Sequence, residues 1–313
     1  MAQVSGAPKG KAEKRTVRER TPHNLLLEYP DLELISETRS SFQHIALYRH
    51  PELGRVLVHD DVVMLAELYE AAYHEMIAHV PLLYHPDPQR VLVIGGGDGG
   101  TSRQVLRHIN VEQLVQVEID AEVVRFCRQH LAELASCYDD ARMELRLEDG
   151  LHYMADCAAG RHPAFDVILV DSPDPSPNPQ LKGPANALFT EAFYQHCRAS
   201  LKPEGILVVQ GETFYGMAKI QRQILETLRR HFGGSAANWG NCGMYTSAIP
   251  FYPLGTWSLI YASPKARRQW CLRDEALEEL ARSEEGLHYL NREMIQACFA
   301  LPNYALRMIG DLA

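Results

Sequence analysis

The segment Val91–Gly100, reading Val-Leu-Val-Ile-Gly-Gly-Gly-Asp-Gly-Gly, limits the folds open to this chain more than any other. Four apolar residues without polar alternation suit a strand buried on both faces of a parallel sheet. The residues after them contain G-x-G-x-x-G at Gly95, Gly97 and Gly100. Glycines at that spacing permit a tight turn, close approach of a ligand to the backbone, and packing of a helix on the strand. A glycine-rich turn without a ligand would explain the motif alone, but its context favours a nucleoside site. A helix is expected at Thr101–Arg107, and Glu118 ends the next apolar run, 21 residues past Gly97, where a carboxylate can grip ribose hydroxyls.

The pattern around this segment predicts an α/β fold. Strand-length apolar runs at Val91–Ile94, Leu114–Glu118, Met143–Leu147, Val167–Val170 and Ile206–Val209 alternate with helical stretches at Thr101–Arg107, Ala121–Leu134, Thr190–Ser200 and Lys219–His231. That order implies a Rossmann-like, doubly wound parallel sheet. Upstream, Leu32–Ser36, Phe42–Tyr48 and Arg55–His59 read as short strands of a small antiparallel β unit, followed by a helix over Tyr69–Val80 that Pro81 kinks or ends. We divide the chain into a disordered basic arm (1–22), an N-terminal β domain (23–75), the Rossmann-like domain (76–265) and a C-terminal helical tail (266–313).

A carboxylate follows each expected parallel strand: Asp98, Glu118, Asp149, Asp171 with Asp174, and Glu212. Ligands of such folds bind outside the carboxyl ends of the strands, so all six acids should line one crevice. A phosphate ligand is disfavoured there, because no Lys or Arg accompanies the glycine turn and a dinucleotide's pyrophosphate would face Asp98. Cations fit, and a formal net charge of −9 agrees with a cationic small molecule and argues against nucleic acid as the partner. No apolar run approaches a membrane span, and the polar N-terminus lacks a signal-peptide core, so a cytoplasmic protein is expected. The seven cysteines contain no CxxC pair and are expected to be free thiols, with neither a disulfide framework nor a structural zinc site.

Several segments, in order, resemble the spermidine synthase (polyamine aminopropyltransferase) family: Phe42-Gln-His-Ile, Tyr73-His-Glu-Met, His85-Pro-Asp-Pro, Val93–Gly100, Val117-Glu-Ile-Asp, Glu148-Asp-Gly, Phe165-Asp-Val-Ile, Asp171-Ser-Pro-Asp-Pro, Leu188-Phe-Thr-Glu, Gln210-Gly-Glu, Ile249-Pro-Phe-Tyr-Pro and Phe299-Ala-Leu-Pro. The resemblance implies a small N-terminal β domain before a Rossmann-like methyltransferase fold. It implies transfer of an aminopropyl group from decarboxylated S-adenosylmethionine, a co-substrate, to an amine, releasing methylthioadenosine without a metal or other cofactor. It implies a homodimer or homotetramer. Carried over, Gln43, Gly95, Gly97, Asp98, Gly99, Glu118, Asp149 and Gly150 would bind the donor: Glu118 at the ribose, Asp149 and Gly150 at the adenine, Asp98 with Asp171 at the aminopropyl ammonium. Asp171, with Tyr73 beside it, would be catalytic. His74, Asp174, Gln210 and Tyr252 would line the acceptor side.

Three departures from the family pattern stand out. Ala66-Glu-Leu-Tyr-Glu-Ala replaces Thr-Glu-x-Asp-Glu-Phe, so Tyr69 stands where an Asp is usual. His59-Asp-Asp replaces Leu-Asp-Gly and loses the glycine of a turn. The loop after Asp174 is lengthened by 176–182, carrying Lys182. These changes predict an acceptor other than putrescine, or a weaker hold on it. Two alternatives stay open at this point: an S-adenosylmethionine-dependent amine N-methyltransferase, whose donor shares nucleoside and sulfonium, and a non-catalytic polyamine- or nucleoside-binding protein.

Overall fold

The computed structural model describes residues 14–21, 23–173, 184–233 and 240–308. The chain opens with five antiparallel strands, β1 (Lys14–Arg20), β2 (Leu26–Arg39), β3 (His44–His50), β4 (Gly54–His59) and β5 (Val62–Ala66), paired in sequence order. Residues 14–20 were assigned to a disordered arm on composition, and the structure corrects this. Val17 is buried, and Lys14, Arg15 and Arg18 pair with Asp31, Glu37 and Glu28 across the strands, so basic residues that look like a solvated tail form an edge ladder. The turn that lost its glycine survives in another form. Asp60 and Asp61 both take left-handed backbone (φ 46° and 66°), as a two-residue hairpin requires, and the Asp60 carboxylate accepts the His44 N–H at 2.9 Å.

Helix α1 (Ala71–Tyr84) follows and is buried from Ala71 to Leu83, so it has no solvent face. Pro81 was expected to kink or end it. It does not end the helix, which runs one turn further, and the His85 N–H closes it on the Pro81 carbonyl at 2.9 Å. Burial on all sides outweighs a helix-interior proline's cost of about 3 kcal/mol.

The second sheet is built from β6 (Arg90–Gly95), α2 (Gly100–Leu106), β7 (Gln113–Glu118), α3 (Ala121–His130), β8 (Met143–Leu147), α4 (Gly150–Ala158), β9 (Phe165–Asp171), α5 (Glu191–Ser200), β10 (Leu201–Thr213), α6 (Ala218–Phe232), β11 (Cys242–Ala248) and β12 (Thr256–Ala262). Its order is β11-β12-β10-β9-β6-β7-β8, with β10, β9, β6, β7 and β8 parallel and β12 antiparallel to both its neighbours, β10 and β11. The five expected parallel strands are all present. Along β6, Val91 and Val93 join one core with α1, while Leu92 and Ile94 join another with α4, α5 and α6, as a strand covered on both faces must. Three helices close the chain: α7 (Asp274–Arg282), α8 (Arg292–Ala297) and α9 (Asn303–Met308). Glu75 of α1 is fully buried and accepts the backbone N–H groups of His288, Tyr289 and Leu290, tying the C-terminal segment to the core. All seven cysteines are free.

Candidate active site

Chain order reverses at β6, whose neighbours are β7 on one side and β9 on the other, so a crevice opens where their carboxyl ends splay apart. The glycine turn sits at this switch. The Gly96 N–H donates to the Asp171 carbonyl at 2.7 Å, and a Cβ at Gly95 (φ 86°) would lie 2.1 Å from that same oxygen. The turn is therefore pressed against the end of β9. A Cβ at Gly97 would lie 3.0 Å from Oε2 of Glu118, so that glycine leaves the carboxylate room. Gly99 caps α2 in left-handed backbone. Gln116 and Tyr138 hold the turn from behind: the Gln116 amide donates to the Gly95 and Gly96 carbonyls at 2.9 and 2.7 Å, and the Tyr138 hydroxyl to the Gly97 carbonyl at 2.9 Å.

Asp171, the last residue of β9, accepts from the Tyr73 hydroxyl at 2.6 Å on Oδ1 and from the Thr101 hydroxyl at 2.6 Å on Oδ2. Burial pushes its pKa up, and the neighbouring Asp98 charge adds to this; the His74 cation and the two hydroxyls oppose it. Asp98 accepts the Gly100 N–H at 2.7 Å and lies 3.6 Å from Nε2 of His74. Glu118 ends β7 buried, accepting the Asp120 N–H at 2.8 Å, and desolvation raises its pKa to about 7. Asp149 begins α4, where its carboxylate accepts the Leu151 N–H at 2.7 Å, and a Cβ on Gly150 would meet Ile94 of β6 at 2.7 Å. Four strand ends thus bring Asp98, Glu118, Asp149 and Asp171 to the same edge of the sheet.

On the side toward β10, the Gln210 amide donates to the Ser172 carbonyl at 3.1 Å, while its oxygen accepts the Glu212 N–H at 3.0 Å. Glu212 is buried in left-handed backbone (φ 69°) where the β10–β12 register shifts. Tyr252 packs against Tyr73 (centroids 6.3 Å apart) and Trp257 (4.7 Å), and its hydroxyl donates to the Met64 carbonyl. These rings make an aromatic wall running from Asp171 toward the N-terminal sheet. Tyr69 extends it, stacked on Phe251 at 6.5 Å. Asp174 and the lengthened loop lie outside the described residues.

Two of the expected substrate contacts also hold groups of the protein itself. His74, expected on the acceptor side, is 3% exposed and lies beneath Gly100, with Nδ1 against Glu70 and Nε2 toward Asp98. Gln43 was placed on the donor. Its amide donates to Oδ2 of Asp120 at 2.9 Å, beside the Ser40 hydroxyl at 2.7 Å, fastening the β2–β3 turn to the loop after Glu118. Sequence reasoning passed over Glu70, Thr101, Arg103 and Asp120. Glu70 precedes His74 by one helical turn and Thr101 follows the glycine turn directly, so spacing could have flagged both. Arg103 is the cation closest to the glycine turn in sequence on the helix side, and it points away from phosphate duty: it donates to Glu70 at 2.6 Å.

Comparison with known proteins agrees with this fold. Residues 70–270 match the spermine/spermidine synthase domain. A polyamine aminopropyltransferase from Erwinia tasmaniensis is 40% identical over 282 residues, covering 89% of this chain and 92% of that protein. One from Pseudomonas syringae pv. tomato is 37% identical over 279 residues, covering 88% and 91%. The crystal structure of a spermidine synthase in complex with the transition state analogue AdoDATO superimposes with a TM-score of 0.82 at 31% identity, covering 97% of this chain and 98% of that one. The spermidine synthase from Thermotoga maritima gives 0.81 at 30% identity, with the same coverage.

Proposed function

The chain belongs to the spermine/spermidine synthase family, and on that premise we propose that it transfers the aminopropyl group of decarboxylated S-adenosylmethionine to an aliphatic amine, releasing methylthioadenosine. The observation that carries this reading is Asp171, a half-buried carboxylate fixed by two hydroxyls, with Asp98 beside it at the switch point of the sheet. The intact donor of a methyltransferase would bring its own carboxylate toward that pair and be repelled, whereas the decarboxylated donor brings an ammonium. The relatives named above are aminopropyltransferases, which favours this reading over both alternatives.

The reaction is a displacement at carbon in which a neutral thioether leaves without needing a proton. The nucleophile is the harder partner. An aliphatic ammonium has a pKa of about 10, so freeing its lone pair at neutral pH costs roughly 4 kcal/mol. Asp171 takes that proton. Its raised pKa strengthens it as an acceptor, and the bonds from Tyr73 and Thr101 fix its plane while each oxygen keeps a lone pair for the amine. Glu118 holds the ribose hydroxyls, Asp149 and Gly150 the adenine edge, and Asp98 the donor ammonium. Gln210 and Tyr252 flank the acceptor, whose methylenes lie along the aromatic wall. The same reading places the enzyme in the cytoplasm as a homodimer or homotetramer.

The acceptor differs from putrescine or is held less tightly. Tyr69 puts an aromatic ring, stacked on Phe251, where the family pattern given above has an Asp, and so removes one negative charge from the approach to the amine. Mass spectrometry of products after offering decarboxylated and intact S-adenosylmethionine with putrescine, cadaverine, agmatine and spermidine tests both statements. Aminopropylated amine plus methylthioadenosine is expected, with Asp171→Asn slower by about 10²–10⁴-fold. Methylated amines would refute the reaction. Efficient spermidine formation from putrescine would refute the acceptor argument alone.

A further inference from the structure

Tyr252 is carried by a loop whose anchors lie outside its own strands. Residues 249–255 join β11, at the edge of the second sheet, to β12. Three bonds tie this loop to the rest of the protein. The Tyr29 hydroxyl of β2 donates to the Phe251 carbonyl at 2.5 Å, the Thr213 hydroxyl of β10 donates to the Pro253 carbonyl at 3.0 Å, and the Tyr252 hydroxyl donates to the Met64 carbonyl of β5. Two of the three reach the N-terminal sheet. We propose that Tyr29 is a positioning residue for the amine acceptor: from the N-terminal sheet it fixes the peptide that leads into Tyr252, and so holds that ring in the acceptor wall beside Tyr73. The inference rests on the reading above that Tyr252 flanks the acceptor.

A peptide unit is planar, so holding its oxygen and its N–H fixes the whole plane. The unit joining Phe251 to Tyr252 is held at both ends. Its oxygen accepts from Tyr29, and its N–H, that of Tyr252, donates to the Ile249 carbonyl at 3.1 Å. The next unit is held as well, because the Tyr252 carbonyl accepts the Gly255 N–H at 2.9 Å. With both flanking planes set, the Cα–Cβ bond of Tyr252 has one direction, and the bond to Met64 fixes the far end of the ring. Of these bonds, the one from Tyr29 comes from a side chain 222 residues away in sequence. Tyr29 is 5% exposed, and burial with the neighbouring Glu19 charge pushes its pKa up, so it stays a donor. Glu19 also steadies the other anchor. Its buried carboxylate accepts the N–H of Val63, the residue before Met64, and thereby joins β1 to β5, the two edges of the N-terminal sheet. The donor side is built elsewhere, from the ends of β6 and β7 and the start of α4, so a change at Tyr29 should be felt by the amine and not by the nucleoside.

The test is steady-state kinetics of wild type, Tyr29→Phe, Thr213→Val and Tyr252→Leu, with putrescine and spermidine as the varied amines, beside calorimetric binding of methylthioadenosine. Tyr29→Phe keeps the ring and removes only the hydroxyl. It should raise the amine KM by about three- to tenfold, the range expected for one lost neutral hydrogen bond, while the donor KM and methylthioadenosine affinity stay as in wild type. Thr213→Val, which frees the same loop from β10, should shift the amine KM the same way, and it carries the test if Tyr29→Phe fails to fold by its melting curve. A folded variant that melts lower with its amine KM unchanged, or with amine and donor KM raised together, overturns the inference and leaves Tyr29 a core residue. Tyr252→Leu separates the two claims. If it leaves the amine KM unchanged, the place of Tyr252 beside the acceptor has failed, and this inference with it. If it raises the amine KM while Tyr29→Phe and Thr213→Val do not, the positioning role alone has failed.

Discussion

Gly100 is the third glycine of a motif in which that position ordinarily serves helix–strand packing, yet in this protein its neighbour is the His74 ring. A Cβ built on Gly100 lies 2.3, 2.5 and 2.6 Å from Cε1, Nδ1 and Nε2 of that ring. Carbon contacts relax only near about 3.5–4.0 Å, so Gly100→Ala must push a fully enclosed imidazole by more than an ångström away from Glu70 and Asp98. Forced overpacking of this kind costs about 1–3 kcal/mol. Gly100 begins α2 without positive φ, so alanine's helix preference returns up to about 1 kcal/mol. The net loss is about 1–2 kcal/mol, or a melting temperature lower by about 2–4 °C for a chain of this size. In a His74→Ala background the clash is gone, and Gly100→Ala should be neutral or slightly stabilising. Chemical denaturation of both single variants and the double variant, with the protein's concentration held constant, should therefore show a coupling of about 1–3 kcal/mol. Strict additivity would refute the claim that the imidazole, rather than the strand, demands this glycine.

Burial holds the Glu118 pKa at about 7, above the ordinary 4.5 of a glutamate. The folded protein therefore keeps a proton between those values that the unfolded chain has lost, and stability falls as pH rises through that window, by on the order of 3 kcal/mol in all. Glu118→Gln should flatten the difference between melts at about pH 5 and about pH 8 while weakening methylthioadenosine binding; an unchanged slope would refute the titration. Asp149 has separable duties as helix cap and adenine contact. Asp149→Ala should cost about 1 kcal/mol of stability, whereas Asp149→Asn keeps the cap oxygen and should leave the melt unchanged while raising the donor KM.

Much of this site was legible because strand ends are local. A buried run followed by an acid places that acid at a sheet's edge whatever the loops do, which is why Asp98, Glu118, Asp149 and Asp171 were found together. What escaped was decided by partners distant in sequence. The basic residues of β1 look disordered until Glu28, Asp31 and Glu37 on β2 are set opposite them. Pro81 reads as a helix end because local chemistry cannot reveal that α1 is enclosed on every side. Gln43 and Asp120 are 77 residues apart, and no periodicity connects them.

His74 marks the sharper limit. Sequence places it beside Tyr73, but helical geometry turns adjacent side chains about 100° apart. Tyr73 reaches Asp171 in the crevice, and the same rotation drives His74 under the glycine turn. That rotation accounts for two residues at once: it makes Gly100 the only residue type with space for the ring, and it sets Glu70, one turn earlier, where it can grip Nδ1. The count of acids pointed correctly to a cationic ligand, yet it overstated the negative charge that ligand meets, because two cations, His74 and Arg103, are folded in behind the acids. An amine therefore meets a site in which part of the acidic charge is already paired, Glu70 with His74 and Arg103 and Asp98 with His74, so the charge left for the amine is set by which carboxylates lack such a partner as well as by how many surround it.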